Sequence, residues 1–351
     1  MRTLILPFLL ILTLVFSCRS EDYGLLEKKV NFYDVYVTGD ENNEACYWKN
    51  TIKTVLTGGT NYKALNIFVN NNDVYILGMN ENSINTGRDY CYWKNNVKQD
   101  VTQYLGIQAN TPVSENFSMS NFFIENGDLY IAGFMKNPAA TNPQNQYQFC
   151  YWKNGIKTVV FEQNDYQTSA SMHLIGNDIY VPLENNIVNN PSINWDLGYY
   201  KNGVYNFIGN NSNFAGFHKE NGSLKMLVSD HNSQTIYYKD LNSGVISTPP
   251  PFINYAGDRY SSQIDGNNQY FVGRHNYYKN NTQFNLHPPG SSFSYLNDFK
   301  VLDDNIYKIL HSDDNTGVNY NVYINDVIVQ SAQNPSNNLS TQFLNLTVVP
   351  N

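Results

Sequence analysis

Cys46-Tyr47-Trp48-Lys49-Asn50 returns as Cys91-Tyr92-Trp93-Lys94-Asn95 and again as Cys150-Tyr151-Trp152-Lys153-Asn154. Fainter copies follow at Tyr199-Tyr200-Lys201-Asn202, Tyr237-Tyr238-Lys239-Asp240, Tyr277-Tyr278-Lys279-Asn280 and Val322-Tyr323-Ile324-Asn325. With Trp48, Trp93, Trp152, Tyr200, Tyr238, Tyr278 and Tyr323 as anchors, the spacings are 45, 59, 48, 38, 40 and 45 residues. A second motif precedes each copy. It reads Asp34-Val35-Tyr36, Asp73-Val74-Tyr75, Asp128-Leu129-Tyr130 and Asp178-Ile179-Tyr180, and decays to Ser223-Leu224-Lys225, Asn268-Gln269-Tyr270 and Asn305-Ile306-Tyr307. Two motifs in step, seven times each, define seven copies of one unit.

Each unit resolves into four short strands. Strand A is typified by Leu65–Val69 and strand B by Val74–Leu77, with a tight Asn/Asp/Gly turn between them. Strand C carries Tyr-Trp-Lys, and strand D, such as Val97–Val101, follows another tight turn. Asn154-Gly155 and Asn202-Gly203 are hairpin dipeptides suited to positive φ at both turn centres. β-Branched and aromatic residues fill the strands, and no stretch keeps a helical period. Four strands per unit at this period predict an all-β fold, a seven-bladed β-propeller of four-stranded antiparallel blades. The first unit has only a stub, residues 29–32, where the others have strand A. A spare alternating segment, Ser340–Val349, remains after the last strand D. The expectation is that this C-terminal strand completes the first blade.

Composition narrows the function. The chain has 351 residues, a formal charge of −8, a pI near 5.2 and an aromatic share of 15%. No Lys/Arg run offers the clustered cations that phosphate binding needs, so nucleic acid is not an expected partner. Arg2 followed by the apolar run Leu4–Phe16 reads as a signal peptide, residues 1–17, too short for a comfortable membrane span. Val15-Phe16-Ser17-Cys18 resembles the lipobox of bacterial lipoproteins, with Cys18 as the lipidated residue. Residues 18–28 would then be a tether and 29–351 a single propeller. The expected location is the cell envelope as an outer-membrane lipoprotein, with membrane contact through the lipid anchor only. A soluble secreted protein is the alternative.

Cys46, Cys91 and Cys150 occupy equivalent places in the repeat. Equivalent positions of packed sheets lie roughly 10 Å apart, too far for a disulfide, so three buried free thiols are expected. The Asp-x-Tyr-Val and Tyr-Trp-Lys-Asn-Gly units resemble exported bacterial propeller lipoproteins with YVTN-type repeats. That resemblance covers residues 30–349, implies the architecture, and carries no catalytic residue over.

The A–B and C–D turns read as short, and the B–C and D–A connections as long and variable. Long loops on a rigid scaffold are where binding usually sits. The ligand-binding candidates there are Trp195, Tyr147, Arg88, Arg259 and His231, with Arg274 and His275 read as a solvated turn. Trp195 is the one Trp outside the repeat, and it either stacks on a ligand or packs under its own loop. His173 and His218 share one repeat position on A strands. Together they would form a metal or anion site, although packed, hydrogen-bonded histidines are the expected reading. Ser312–Gly317 reads as a polar B–C loop rather than a Ca²⁺ loop. No cofactor is implied and no catalytic residue is assigned. The composite expectation is a ligand-binding or scaffold lipoprotein for a glycan, peptide or protein. The alternatives are a polysaccharide lyase or glycosidase built on the propeller, or a purely structural protein.

Overall fold

In a computed structural model, the residues described are 33–80, 89–106, 117–142, 145–163, 170–186, 195–220, 223–250, 261–273, 275–287, 295–314, 317–335 and 340–351. They form seven four-stranded antiparallel sheets. Blade one is β1 (Tyr33–Glu41), β2 (Glu44–Lys49) and β3 (Ile52–Thr60). Blade two is β4 (Lys63–Asn70), β5 (Asp73–Asn80), β6 (Asp89–Lys94) and β7 (Val97–Asp100). Blade three is β8 (Phe117–Glu125), β9 (Asp128–Lys136), β10 (Tyr147–Lys153) and β11 (Ile156–Gln163). Blade four is β12 (His173–Ile175), β13 (Asp178–Asn186), β14 (Trp195–Lys201) and β15 (Val204–Asn210). Blade five is β16 (Ser212–Glu220), β17 (Ser223–Asp230), β18 (Thr235–Asp240) and β19 (Ile246–Ser247). Blade six is β20 (Ser261–Asp265), β21 (Asn268–Val272), β22 (Asn276–Lys279) and β23 (Thr282–Asn285). Blade seven is β24 (Tyr295–Leu302), β25 (Asn305–Asp314), β26 (Gly317–Ile324) and β27 (Val327–Pro335).

The last strand, β28 (Thr341–Pro350), returns to blade one and pairs with β1 from Tyr33↔Pro350 to Glu41↔Thr341. The expected closure is therefore present. Phe343 and Leu346 of this strand are fully buried among Val37, Trp48, Ile309 and Val322, so it joins the first and last blades through their apolar faces.

A recurring cross-strand pair sets how closely strand A approaches. Gly39, Gly78 and Gly133 on strand B stand opposite Cys46, Cys91 and Cys150 on strand C. Beside each glycine strand A carries a bulge, between Ala64/Asn66 and Met119/Asn121 in blades two and three. A Cβ on Gly39 would lie 1.7 Å from the Gln342 carbonyl oxygen, and one on Gly133 would lie 2.2 Å from that of Ser118. Only a residue without a side chain admits that approach. The three thiols are buried and free.

The fifth blade departs from the anchor pattern. Tyr238 pairs with Leu227, and Lys239, opposite Met226, holds the place that Trp93 holds opposite Ile76. The cause is the turn that follows. Asp240 Oδ1 accepts from the amides of Asn242 and Ser243, and Asp240 N donates to Val245 O, which lengthens the connection and shifts the motif by one residue. Strand D of blade two ends at Asp100 and gives way to one helical turn, α1 (Val101–Leu105), whose Val101 and Leu105 enter the core.

Candidate functional site

The tight turns share one face of the ring, and the repeat motifs explain how that face is built. The first residue of strand B and the last residues of strand C meet there. Asp73 accepts Lys94 Nζ at 2.8 Å and Asn95 Nδ2 at 2.7 Å. Asn95 Oδ1 in turn accepts Val74 N at 2.8 Å. The arrangement recurs as Asp128 with Lys153 and Asn154, and as Asp178 with Lys201 and Asn202. Lysine and the amide hold these three carboxyls below the ordinary carboxylate range. The ammonium also sits over the Tyr of the same motif, 5.2 Å from the ring centroid for Lys94 and Tyr75. Blade six has Asn268 where blades one to four have Asp, and Asp304 of blade seven supplies the missing carboxylate to Lys279 and Asn268. The repeated polar residues therefore clasp blades one to four each to itself and blade six to blade seven, and are structural.

The other face carries the variety, but unevenly. The B–C connection is only two residues in blade one (Asn42 and Asn43), four in blade five (231–234) and three in blade six (273–275). In blades two, three and four it runs to residues 81–88, 137–146 and 187–194. The connections from blade two to three (101–116) and from three to four (164–172) are long as well. Blade four reaches blade five through Asn211 alone. The long loops thus concentrate over blades two to four, with a second group at 248–260 and 286–294 beside blade six. Long and variable B–C loops were expected. The strands instead continue to the face wherever the ladder can, as Asp313↔Val318 and Asp314↔Gly317 show in blade seven. Ser312, Asp313 and Asp314 thus belong to β25 and Gly317 to β26, so the segment is a hairpin tip rather than a loop.

The candidates distribute accordingly. Tyr147 begins β10 at the loop face, half-buried and paired with Lys136 and Gln163. Trp195 begins β14, where its backbone pairs with Asn186. His231 is exposed in the short blade-five turn, where Asp230 Oδ1 accepts from Asn232 N and its own amide donates to Asn211 O. Cys18, Arg88, Arg259 and Arg274 lie outside the described residues, as do the signal segment and the tether. The loop 137–146 is braced by Asn137, which is buried. Its Nδ2 donates to Asn145 O at 2.8 Å and its Oδ1 accepts Ala139 N at 3.0 Å. That role was not read from the sequence, although an Asn ahead of a Pro-containing loop is a usable signal.

His173 and His218 do occupy one repeat position, opposite Tyr180 and Lys225. Each turns into the seam toward the next blade. His173 meets Phe214 and Phe217 edge-on, with ring centroids 5.7 and 4.9 Å away, and its Nε2 lies 2.8 Å from Ser171 Oγ. Burial lowers its pKa to about 4, so the ring is neutral. His218 stacks on Tyr238 and contacts Phe271 and the Gln269 amide. Separate aromatic surroundings account for both rings as packing residues. Among the described residues no group of three His, Cys, Asp or Glu is placed to hold a metal ion.

On the turn face, a cleft of about 380 Å³ opens between blades seven and one. Val35, Val37, Val322, Ile324 and Val329 line it, with Tyr33 at the edge. Between blades one and two the corresponding seam is latched, because Asn96 Oδ1 accepts Thr57 N and Lys98 Nζ donates to Gly58 O. Blade one has Thr51 in place of that Asn, and its Lys53 goes to Glu41 instead.

No protein-family model matches the chain, and no curated protein matches it in sequence. Solved structures do match in fold. The β-propeller domain of the Trilobed protease from Pyrococcus furiosus aligns at TM-score 0.52 and 13% identity, over 86% of this chain and 91% of that one. Its propeller is described as having an open velcro topology, whereas here β1 and β28 are hydrogen-bonded. Prolyl oligopeptidase B from Galerina marginata aligns at TM-score 0.52 and 9% identity, over 90% of this chain and 51% of that one. The polysaccharide lyase Uly1 aligns at TM-score 0.48 and 12% identity, over 84% and 88%. This chain spans about half the length of the acylaminoacyl peptidase of Pyrococcus horikoshii and of the oligopeptidase. At these identities the likeness shows the propeller fold and nothing finer.

Proposed function

We propose that this chain is a binding or scaffold protein of the bacterial cell envelope. Residues 1–17 export it, a lipid on Cys18 anchors it, and the loops over blades two to four receive a glycan, peptide or protein. The observation that carries this reading is the unequal loop face. A ring of seven near-equivalent blades has no structural need for long connections in one sector. Three adjacent B–C loops and the two connections between their blades are long there, while the connections at Asn42–Asn43 and Asn211 shrink to two residues and one. Tyr147 and Trp195 both stand at the base of that sector, on rigid strand ends.

The test is a thermal-shift screen of the mature protein against envelope and host glycans and peptides. A ligand at 100 times its Kd adds about 2.7 kcal/mol to stability. A shift that disappears in Tyr147→Ala and Trp195→Ala, with the unliganded melting temperature kept, supports the reading. A shift that both variants retain places binding elsewhere. Release of shortened or unsaturated sugars from a polysaccharide would make the protein an enzyme instead.

A further inference from the structure

The ring has two unlike faces, and the chain enters it on one of them. Tyr33 opens β1 opposite Pro350, and the next residue, Asp34, accepts from the C–D turn residue Asn50. Both ends of the described chain therefore lie on the tight-turn face. The fourteen residues 19–32 connect Tyr33 to Cys18. Fully extended they reach roughly 46–50 Å, so the anchor's position alone leaves the orientation open.

The surface of the turn face decides it. The first D-strand residue after each C–D turn is a β-branched aliphatic in six blades: Ile52, Val97, Ile156, Val204, Ile246 and Val327. All six are more than half exposed, Ile52 and Ile156 at 73%. In five of these blades the residue stands opposite the last residue of strand C, and in blade five, where the register is shifted by one, Val245, 61% exposed and accepting from Asp240 N, takes that place beside Ile246, so an aliphatic rim runs around the outer edge of the turn face. The turn tips beside them are mostly neutral amides, including Asn50, Asn71, Asn95, Asn126, Asn154 and Asn202. Blades one to four and blade six each pair the nearby lysine with an aspartate. Exposed aliphatic side chains among neutral polar tips suit the boundary between lipid headgroups and acyl chains. A protein partner would have to match the same spacing at every blade, whereas a lipid surface presents one chemistry all round.

We propose that the turn face is turned toward the lipid surface, with the aliphatic rim resting on it and the long loops of blades two to four projecting away. This inference rests on the proposed acylation of Cys18.

The experiment uses the full-length, exported protein in vesicles of phosphatidylethanolamine and phosphatidylglycerol. A bimane label is placed either on the rim, at Ile156→Cys, or on the loop face, at Ala140→Cys, whose side chain is exposed. Nitroxide-labelled lipids serve as quenchers, and the mass of the N-terminal peptide reports acylation. The expected result is several-fold stronger quenching at position 156 than at 140, lost from both in Cys18→Ser. Equal quenching, or stronger quenching at 140, with Cys18 acylated overturns the orientation and leaves the anchor standing. An unmodified Cys18 overturns the anchor reading and this inference with it.

Discussion

Lys94 Nζ lies 2.8 Å from the Asp73 carboxylate, and the next residue in the chain, Asn95, binds the same carboxylate at 2.7 Å. One acid thus receives the last residue of strand C and the first of the turn after it, and the repeat keeps acid, lysine and amide together because all three serve one turn. The partners differ in what they hold. Lysine reaches a solvated carboxylate, where an ion pair contributes little. The amide also receives Val74 N and sits at φ +49. Lys94→Ala should leave urea denaturation nearly unchanged. Asn95→Ala should cost about 1–2 kcal/mol through the lost hydrogen bonds. Asn95→Gly, which tolerates the same φ, isolates the hydrogen-bond part.

Gly39 should be intolerant of any side chain. Its absent Cβ would stand 1.7 Å from the Gln342 carbonyl, which belongs to the closing strand's backbone and has no rotamer to yield. Gly39→Ala is expected to prise β28 from β1 and cost about 3 kcal/mol, near the top of the usual overpacking range. Deleting residues 341–351 should go further and replace one cooperative melt with a broad one. Circular dichroism melts of both variants test this, and an unshifted truncation melt would show that closure contributes nothing.

Cys46, Cys91 and Cys150 should be silent toward thiol reagents in the folded state. Burial pushes the thiols of Cys46 and Cys91 up to about 12 and that of Cys150 up to about 11, so almost no thiolate exists at neutral pH. Ellman's reagent at pH 8 should titrate none of the three in the native protein and all three in guanidinium. Fast labelling of any one before unfolding would contradict the burial.

Stability should fall on acidification before the carboxylates titrate. Burial lowers His173 to about 4 from the ordinary 6.5. Between those values the unfolded chain binds a proton that the folded ring refuses, so each step down in pH favours unfolding. The loss through that window is at most roughly 3 kcal/mol. His173→Gln should flatten the slope between about pH 6.5 and 4. A second slope, from Asp73, Asp128 and Asp178, lies lower and should remain. Their stabilisation is present above the ordinary carboxylate range and disappears as pH falls through their lowered values. An unchanged upper slope would assign it to another group.

Much of the ring was legible because its signals repeat. Asp-x-Tyr and Tyr-Trp-Lys-Asn mark both ends of the same two strands, and a lone strand at the C-terminus has one vacant place to go. Where the signal broke, the cause was local. Tyr237-Tyr238-Lys239-Asp240 imitates the anchor motif closely, but the side chain of Asp240 organises a longer turn and displaces the register by one. Val101 opens a helical turn that carries apolar residues like a strand. The long-loop sector was only partly legible. Loop length shows in the spacing of motifs, yet whether a strand stops at Leu77 or runs on to Asn80 depends on cross-strand partners that the pattern does not mark. His231 reads like a loop residue and proves to sit in a four-residue turn.

The pairing of Tyr33 with Pro350 also fixes an order of events. Blades two to seven can form from contiguous chain as it is made, whereas blade one waits for β28. Until then β1 has a bare inner edge, and the apolar faces of Val37 and Trp48 lack Phe343 and Leu346. The ring is therefore most vulnerable to strand addition from another molecule until β28 has been made. Its folding rate should be governed by one contact that joins the first and last strands of the ring.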